Sequence, residues 1–125
     1  MGQSMRAMPS SPFEHGHPTL AGYRDVSPAA AYAARSTTRL VDVREPDEFV
    51  GELGHIAGSE LVPLSTVMAR SHTWDRDAEI ILVCRSGARS GRAAEALVRA
   101  GFQRVMNMAG GMLAYNAAHL PVERA

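Results

Sequence analysis

Short apolar runs alternate along the chain with segments that have helical spacing. The apolar runs occupy residues 22–26, 39–43, 60–63, 80–83 and 103–108, and we interpret them as strands. The intervening segments predict helices over residues 28–35, 47–50, 65–71, 91–100 and 112–118. Four consecutive apolar residues at 80–83 are typical of a central parallel strand that is covered on both faces. The alternation therefore predicts an α/β domain with a largely parallel sheet, whose ligands bind at the carboxyl ends of the strands.

Local signals predict helix ends and a boundary near the N-terminus. Ser27-Pro28 supplies a helix N-cap and a proline at the first helical position. Gly101 suits the position that follows a helix C-cap. Residues 1–20 contain three prolines and two glycines and have almost no hydrophobic periodicity. We therefore expect a flexible N-terminal extension over residues 1–20 and one domain over residues 21–125.

Composition and charge fit one ordinary globular domain. The 125 residues are 46% hydrophobic and 21% charged. Thirteen basic and thirteen acidic residues give no net charge, which argues against nucleic acid or a membrane surface as a partner. No window approaches the roughly 18 apolar residues of a membrane span, and the N-terminus lacks the apolar region of a signal peptide. We expect a cytoplasmic monomer that uses no metal and no cofactor.

The chain has one cysteine, which directly follows the predicted central strand and precedes a predicted helix. In this position, helix amides and the helix dipole stabilise negative charge, so we expect the Cys84 thiol to ionise more readily than that of free cysteine. A lone cysteine at a strand end is most often a small buried hydrophobe. Here the flanking Arg85 and Arg89, and a Ser86-Gly87 turn whose amides can point inward, favour a functional thiolate.

Four blocks of the sequence resemble those of single-domain rhodaneses, a family of thiosulfate or persulfide sulfurtransferases. The blocks are Leu-Val-Asp-Val-Arg-Glu-Pro at 40–46, Gly-His-Ile-Ala-Gly-Ser at 54–59, Val-Cys-Arg-Ser-Gly-Ala-Arg-Ser at 83–90 and Asn-Met-Ala-Gly-Gly-Met at 107–112. They occur in the family's order and spacing, and the resemblance covers roughly residues 22–120. It implies a three-layer α/β fold with a mostly parallel, five-stranded sheet flanked by helices.

The resemblance also implies that Cys84 carries the transferred sulfur. Its thiolate attacks the outer sulfur of thiosulfate or a related sulfane donor, and a Cys84 persulfide results. The substrate-binding residues, whose backbone N–H groups hold that persulfide, are Arg85, Ser86, Gly87, Ala88, Arg89 and Ser90. Cyanide, a low-molecular-weight thiol or a protein thiol then accepts the sulfur. Since the chain has no second cysteine, this transfer goes to another molecule.

Several side chains are candidates for supporting roles. Asp42 lies within an apolar strand, where an ionised carboxylate needs partners, so a structural hydrogen-bonding role is favoured over catalysis. Arg44 is a candidate ion-pair partner near the pocket. His55 invites a general-base role, although the Gly-His-Ile motif of the family is mainly structural. Arg85 either steers anionic donors or is a solvated charge. Arg89 is expected to close the loop by bonding to backbone or to a carboxylate.

Two other functions stay open at this point. Related cysteine-dependent phosphatases and arsenate reductases have one more residue between nucleophile and arginine than the four that separate Cys84 from Arg89. The shorter loop makes a tighter cradle, which suits a single sulfur atom better than a tetrahedral oxyanion. Val83 also stands where those enzymes have a histidine. The second of these functions is that of a non-catalytic binding or regulatory module of the rhodanese type. Such modules often lack the cysteine that this chain keeps.

Overall fold

The computed structural model describes residues 11–125. Its strands are β1 (His17–Pro18), β2 (Arg24–Val26), β3 (Arg39–Asp42), β4 (Glu60–Leu61), β5 (Glu79–Val83) and β6 (Arg104–Met108). Its α-helices are α1 (Pro12–His15), α2 (Pro28–Ala33), α3 (Pro46–Phe49), α4 (Val67–Arg70), α5 (Ala88–Arg99) and α6 (Gly111–Ala117). Short 3-10 turns, Leu64–Thr66 and Ser71–Thr73, flank α4, where the sequence predicts one continuous helix.

The strands form one sheet in the order β1-β2-β6-β5-β3-β4. The five strands from β2 to β4 are all parallel, and β5 lies between β6 and β3 as predicted for a central strand. The sixth strand, β1, pairs antiparallel with β2 at the edge. The predicted α/β fold with a mostly parallel sheet is therefore confirmed, with one edge strand more than the five expected.

Residues 11–20, which the sequence predicts as part of a flexible extension, contribute α1 and the extra strand β1. The Arg24 guanidinium lies over the Phe13 ring at 4.2 Å and donates a hydrogen bond to the Phe13 carbonyl at 2.8 Å, so α1 is held against β2. His17 pairs with Asp25 in the β1–β2 ladder. These contacts involve one aromatic ring and otherwise polar groups, so they leave no periodic hydrophobic pattern in the sequence. Residues 1–10 lie outside the described part of the chain.

The core consists of two apolar clusters, one on each face of the sheet. Because side chains alternate along a strand, Ile80 and Leu82 pack with α4 and α5, whereas Ile81 and Val83 pack with α2 and α6. Three methionines complete the second cluster and are fully buried, as the sequence predicts: Met106, Met108 and Met112. Helices on both faces of the sheet make the three layers.

Two helix ends that local sequence signals predict are confirmed. The Ser27 hydroxyl accepts a hydrogen bond from the Ala30 N–H at 3.1 Å and caps α2. Gly101 follows the C-cap of α5 with a φ of 101°. The helix α5 begins at Ala88, three residues before its predicted start, so its first turn belongs to the cysteine loop. Within residues 11–125, no helix is long and apolar enough to cross a bilayer.

Candidate active site

The loop of residues 84–90 curls around the Cys84 thiol. Cys84 Sγ accepts a hydrogen bond from the Gly87 N–H at 3.0 Å, and the Ser90 hydroxyl lies 3.2 Å from the same sulfur. Gly87 has a φ of 104°, in the left-handed region that favours glycine, and this conformation turns its N–H inward. Cys84 itself is only 1% exposed. The loop therefore forms an anion cradle centred on one sulfur atom.

Two opposing effects act on the pKa of the Cys84 thiol. Burial raises the pKa, because it disfavours the charged thiolate. Hydrogen bonding by the Ser90 hydroxyl and by the backbone N–H groups of Ser90, Gly87 and Ser86 lowers it. The hydrogen bonds prevail, and the pKa of Cys84 lies below its ordinary value. This direction agrees with the expectation that the loop stabilises a thiolate.

The N-terminal turn of α6 supports the back of the loop. The Met112 N–H donates to the Cys84 carbonyl at 2.8 Å, and the Leu113 N–H donates to the Arg85 carbonyl at 3.0 Å. Gly111 permits this approach, since a Cβ at its position would lie 2.6 Å from the Cys84 carbonyl oxygen. Because the N–H groups of α6 donate to these two carbonyl groups, the N–H groups of the loop are left directed toward the sulfur.

A bidentate ion pair closes the loop from the side of α3. Both terminal nitrogens of Arg89 donate to the carboxylate of Glu48, each at 2.8 Å. Hydrogen bonding by Arg89 lowers the pKa of Glu48 to about 2. Glu48 also accepts the Glu45 N–H at 2.9 Å and so caps α3. The side chain of Arg89 bonds a carboxylate, which is one of the two partners expected from the sequence.

The two buried supporting residues at the end of β3 pair with each other. Arg44 Nε and Nη2 donate to the two carboxylate oxygens of Asp42 at 2.8 and 2.7 Å, and both side chains are 1% exposed. Arg44 also donates to the carbonyls of Glu48 and Gly54 at 3.1 and 2.8 Å. Every polar contact of this pair serves the backbone or the partner. The pair therefore holds the segment between α3 and Gly54 against the end of β3.

The ring contacts of His55 are with Phe49 and Glu123, not with the cysteine loop. Its Nδ1 lies 2.8 Å from the Phe49 carbonyl, which can only accept, so Nδ1 carries the hydrogen. The ring stacks on that of Phe49 at 3.7 Å, and Nε2 lies 3.9 Å from a Glu123 carboxylate oxygen. The backbone of His55 also pairs with Glu123. These contacts fasten the C-terminal segment, and they favour the structural role over a general base.

An open cavity of about 420 Å³ borders the loop on the side of Arg85. Its lining residues are Arg44, Asp47, Glu48, Gly51, Glu52, Leu53, Arg85 and Leu113. Arg44 and Glu48 are neutralised by their partners, which leaves the exposed carboxylates of Asp47 and Glu52 facing the exposed cation of Arg85. A larger cavity of about 690 Å³, between α1 and α2, contains no cysteine and lies beside Asp25 and not beside the loop.

Sequence reasoning missed two residues of the site, and the first of them, Asn107, lies in one of the four blocks. Asn107 Oδ1 is 2.5 Å from the Ser90 hydroxyl oxygen, and Nδ2 is 3.3 Å from both the Gly87 carbonyl and an Asp25 carboxylate oxygen. The available signal is a polar residue within the apolar strand β6, paired in register with Leu82 of the central strand. Glu48 was missed as well, because its partner Arg89 is 41 residues away.

The fold and the site together define a cysteine-centred α/β domain with an anion cradle at the carboxyl end of its central strand. The sequence model of the rhodanese-like domain family matches residues 27–118. The chain therefore belongs to the rhodanese-like domain family, in agreement with the resemblance of its four blocks.

Individual proteins show the same relationship. The chain is 42% identical over 73 residues to the uncharacterized protein YqhL of Bacillus subtilis, covering 58% of this chain and 56% of that protein, and so spans little more than half of that relative. It is 30% identical over 99 residues to the thiosulfate sulfurtransferase GlpE of Vibrio cholerae, covering 79% of this chain and 92% of that protein. The crystal structure of a rhodanese-related protein from Thermoplasma volcanium matches with a TM-score of 0.74 at 29% identity, covering 82% of this chain and 100% of that one.

Proposed function

We propose that the protein is a sulfurtransferase that carries sulfane sulfur as a persulfide on Cys84. The observation that carries this proposal is the convergence of the Gly87 N–H and the Ser90 hydroxyl on one buried sulfur atom. Hydrogen bonds of this kind stabilise the thiolate as nucleophile, and they also suit the negative charge of a persulfide. The name of the Vibrio cholerae relative, a thiosulfate sulfurtransferase, supports the same chemistry.

In the first step, the Cys84 thiolate attacks the outer sulfur of thiosulfate. A bond forms between Cys84 Sγ and that sulfur, the sulfur–sulfur bond of thiosulfate breaks, and its electron pair leaves with sulfite. The cysteine becomes a persulfide whose terminal sulfur bears one negative charge. Backbone N–H groups of residues 85–90 hold that charge. The exposed Arg85 at the cavity is the cation that the dianionic donor meets first.

In the second step, a separate molecule removes the terminal sulfur. A nucleophile attacks that sulfur, the bond to Cys84 Sγ breaks, and the cysteine leaves as a thiolate. With cyanide the product is thiocyanate; with a low-molecular-weight or protein thiol it is a new persulfide. We place the reaction in the cytoplasm, because a single unpaired and readily ionised thiol is preserved in a reducing compartment.

Phosphatase or arsenate reductase activity is less well supported by the loop. Four residues separate Cys84 from Arg89, and the Arg89 guanidinium is already occupied by the Glu48 carboxylate at 2.8 Å. An arginine engaged in this way is not free to clamp a phosphoryl group. A purely binding role does not explain why the thiol is surrounded by hydrogen-bond donors.

The test is to incubate the reduced protein with thiosulfate and to measure its intact mass. We expect the addition of one sulfur atom, its localisation to Cys84 by peptide mapping, and its removal by cyanide as thiocyanate. The variant Cys84→Ser, which is nearly isosteric, should fold and should acquire no sulfur. Absence of a mass increase with thiosulfate and with low-molecular-weight persulfides would refute the sulfurtransferase. Hydrolysis of an aryl phosphate that requires Cys84 would assign the protein to the phosphatases.

A further inference from the structure

The Ser90 hydroxyl faces two acceptors but has one hydrogen. Its oxygen lies 3.2 Å from Cys84 Sγ and 2.5 Å from Asn107 Oδ1, and both distances are within hydrogen-bonding range. A hydroxyl has a single O–H, so it can donate to only one of these atoms at a time. The two acceptors therefore compete for the same hydrogen, and Ser90 is completely buried where water cannot supply another.

The orientation of the Asn107 amide is fixed by its other partners. Nδ2 lies 3.3 Å from the Gly87 carbonyl and 3.3 Å from an Asp25 carboxylate oxygen, and these groups can only accept. Turning the amide over would direct its oxygen at a carbonyl and a carboxylate and lose both hydrogen bonds. The amide oxygen must therefore face Ser90, where it can only accept the hydroxyl hydrogen.

We propose that Asn107 is a positioning residue that controls the ionisation of Cys84 by competing with the sulfur for the Ser90 hydrogen. When Cys84 is a neutral thiol, its S–H can donate to the Ser90 oxygen while the Ser90 hydrogen stays on Asn107. When Cys84 is a thiolate, the sulfur only accepts, and the Ser90 hydrogen turns to it. Asn107 then loses a donor in a site where it is only 6% exposed, which favours the thiol.

This competition gives the loop two hydrogen-bond states. The consequence for catalysis rests on the proposed function: the hydrogen points to the sulfur when Cys84 is the attacking or the departing thiolate. It returns to Asn107 when Cys84 Sγ is bonded to a second sulfur and carries no charge. Asn107 thereby limits the fraction of thiolate in the resting protein, and a limited thiolate fraction slows oxidation of a thiol that has no resolving partner.

Other charges act on Cys84 and must stay constant in a test. The titratable groups around the loop and its neighbours are Tyr23 and Asp25 beside β6, Asp42 and Arg44 at the end of β3, Glu48 on α3, and Arg85 and Arg89 in the loop and α5. Substitution of Ser90 touches none of them, whereas Asn107→Ala also removes the Nδ2 hydrogen bond to Asp25. Because that loss is the same with and without Ser90, a comparison in the Ser90→Ala background isolates the hydrogen-bond competition.

The experiment is a pH titration of the thiolate ultraviolet absorbance in the unloaded protein, with Cys84→Ala as blank. Because the chain has one cysteine, the signal belongs to Cys84 alone. We expect Asn107→Ala to lower the Cys84 pKa by about one unit, since it frees the Ser90 hydrogen for the sulfur. Asn107→Asp should raise it, because a carboxylate holds the hydrogen more strongly and its charge also disfavours a nearby thiolate. Ser90→Ala should also raise it by about one unit.

The double variant Ser90→Ala/Asn107→Ala tests the mechanism. If Asn107 acts through Ser90, its removal shifts the pKa little once Ser90 is alanine. The proposal is overturned if Asn107→Ala raises the pKa, leaves it unchanged, or shifts it equally with and without Ser90. It is also overturned if the alanine and aspartate variants move the pKa in the same direction, as loop damage would do. No sulfur donor is used, so either result leaves the test of sulfur transfer unaffected.

Discussion

At the scale of single residues, charges around the loop are arranged in pairs, so that few remain free to act on a ligand. Glu48 illustrates this arrangement, because one carboxylate binds the Arg89 guanidinium and caps α3 at the same time. Arg89 is thereby held between α5 and α3. The cradle around Cys84 consequently depends on a residue that lies in neither the loop nor its helix.

The pair of Glu48 and Arg89 should make stability depend on pH. The pKa of Glu48 falls from 4.5 to about 2, so the carboxylate stabilises the folded state above about pH 4.5 and loses this contribution as the pH falls toward 2. Because the two side chains are 27% and 30% exposed, solvent screening reduces the contribution to about 1 kcal/mol. We expect Glu48→Gln to lower the free energy of unfolding by that amount near neutral pH.

Urea denaturation of both proteins over a pH series measures this effect. The difference between them should shrink below pH 4.5 and disappear as the pH falls through 2. Glu95→Gln is the matched control, because it breaks an exposed pair with Arg99 whose side chain is 79% exposed, and it should change little. A difference for Glu48→Gln that stays constant with pH would show that its cause is not the charge.

At the scale of elements, the cysteine loop is held between α5, which follows it, and α6, which lies near the end of the chain. The α5 side supplies the inward N–H of Gly87 and the hydroxyl of Ser90. The α6 side binds the carbonyls of Cys84 and Arg85 and keeps them away from the sulfur. The N–H groups of the loop point toward the sulfur and its carbonyls point away from it, so the loop requires contacts with both helices. The contact with α6 requires a glycine, because a side chain would not fit there.

Gly111 should be the most sensitive glycine near the site. It has a φ of 59°, and a Cβ there would clash with backbone atoms of Arg85 and Cys84, neither of which can move without opening the cradle. We expect Gly111→Ala to destabilise the protein by about 3 to 5 kcal/mol, which combines backbone strain and overpacking. Formation of the persulfide should fall with it. Thermal unfolding and mass spectrometry measure the two effects.

Gly58→Ala separates strain from clash. Gly58 also has a positive φ, 88°, but a Cβ there would meet only the Arg35 carbonyl at an ordinary 3.7 Å. This variant should lose about 1 to 2 kcal/mol from strain alone and keep its ability to acquire sulfur. Equal losses in the two variants would contradict the assigned contact between α6 and the loop.

At the scale of the whole molecule, the sequence was informative where structure depends on local order and much less so where it depends on distant pairs. The apolar run before Cys84 predicted the central strand, and the glycine after it predicted the turn, because both are consequences of neighbouring residues. The edge strand β1 escaped prediction, since it depends on pairing with β2 and on the contact of Arg24 with Phe13 of the neighbouring α1. Asn107 escaped for the same reason, because only the pairing of β6 with β5 brings it to Ser90.

The zero net charge of the molecule also conceals a local imbalance at the cavity beside the loop. Among the residues that line this cavity, Asp47 and Glu52 are exposed carboxylates and Arg85 is the exposed cation, so the lining carries a slight excess of negative charge; Arg124 binds the Glu52 carbonyl just outside it. Thiosulfate is a dianion, and the exposed charges act on it within a Debye length of about 10 Å at moderate salt. We expect Asp47→Asn/Glu52→Gln to accelerate sulfur loading from thiosulfate several-fold at low salt, roughly two- to threefold for each charge removed.

Arg85→Gln should slow loading by a similar factor, and high salt should bring all these variants close to the unsubstituted protein. The control is Asp77→Asn, an exposed carboxylate that precedes β5 and so lies at the opposite end of this strand from Cys84. The initial rate of mass increase with thiosulfate, measured over a salt series, gives the comparison. If Asp77→Asn accelerates loading as much as the double variant, the donor responds to total charge and the cavity is not its route to Cys84.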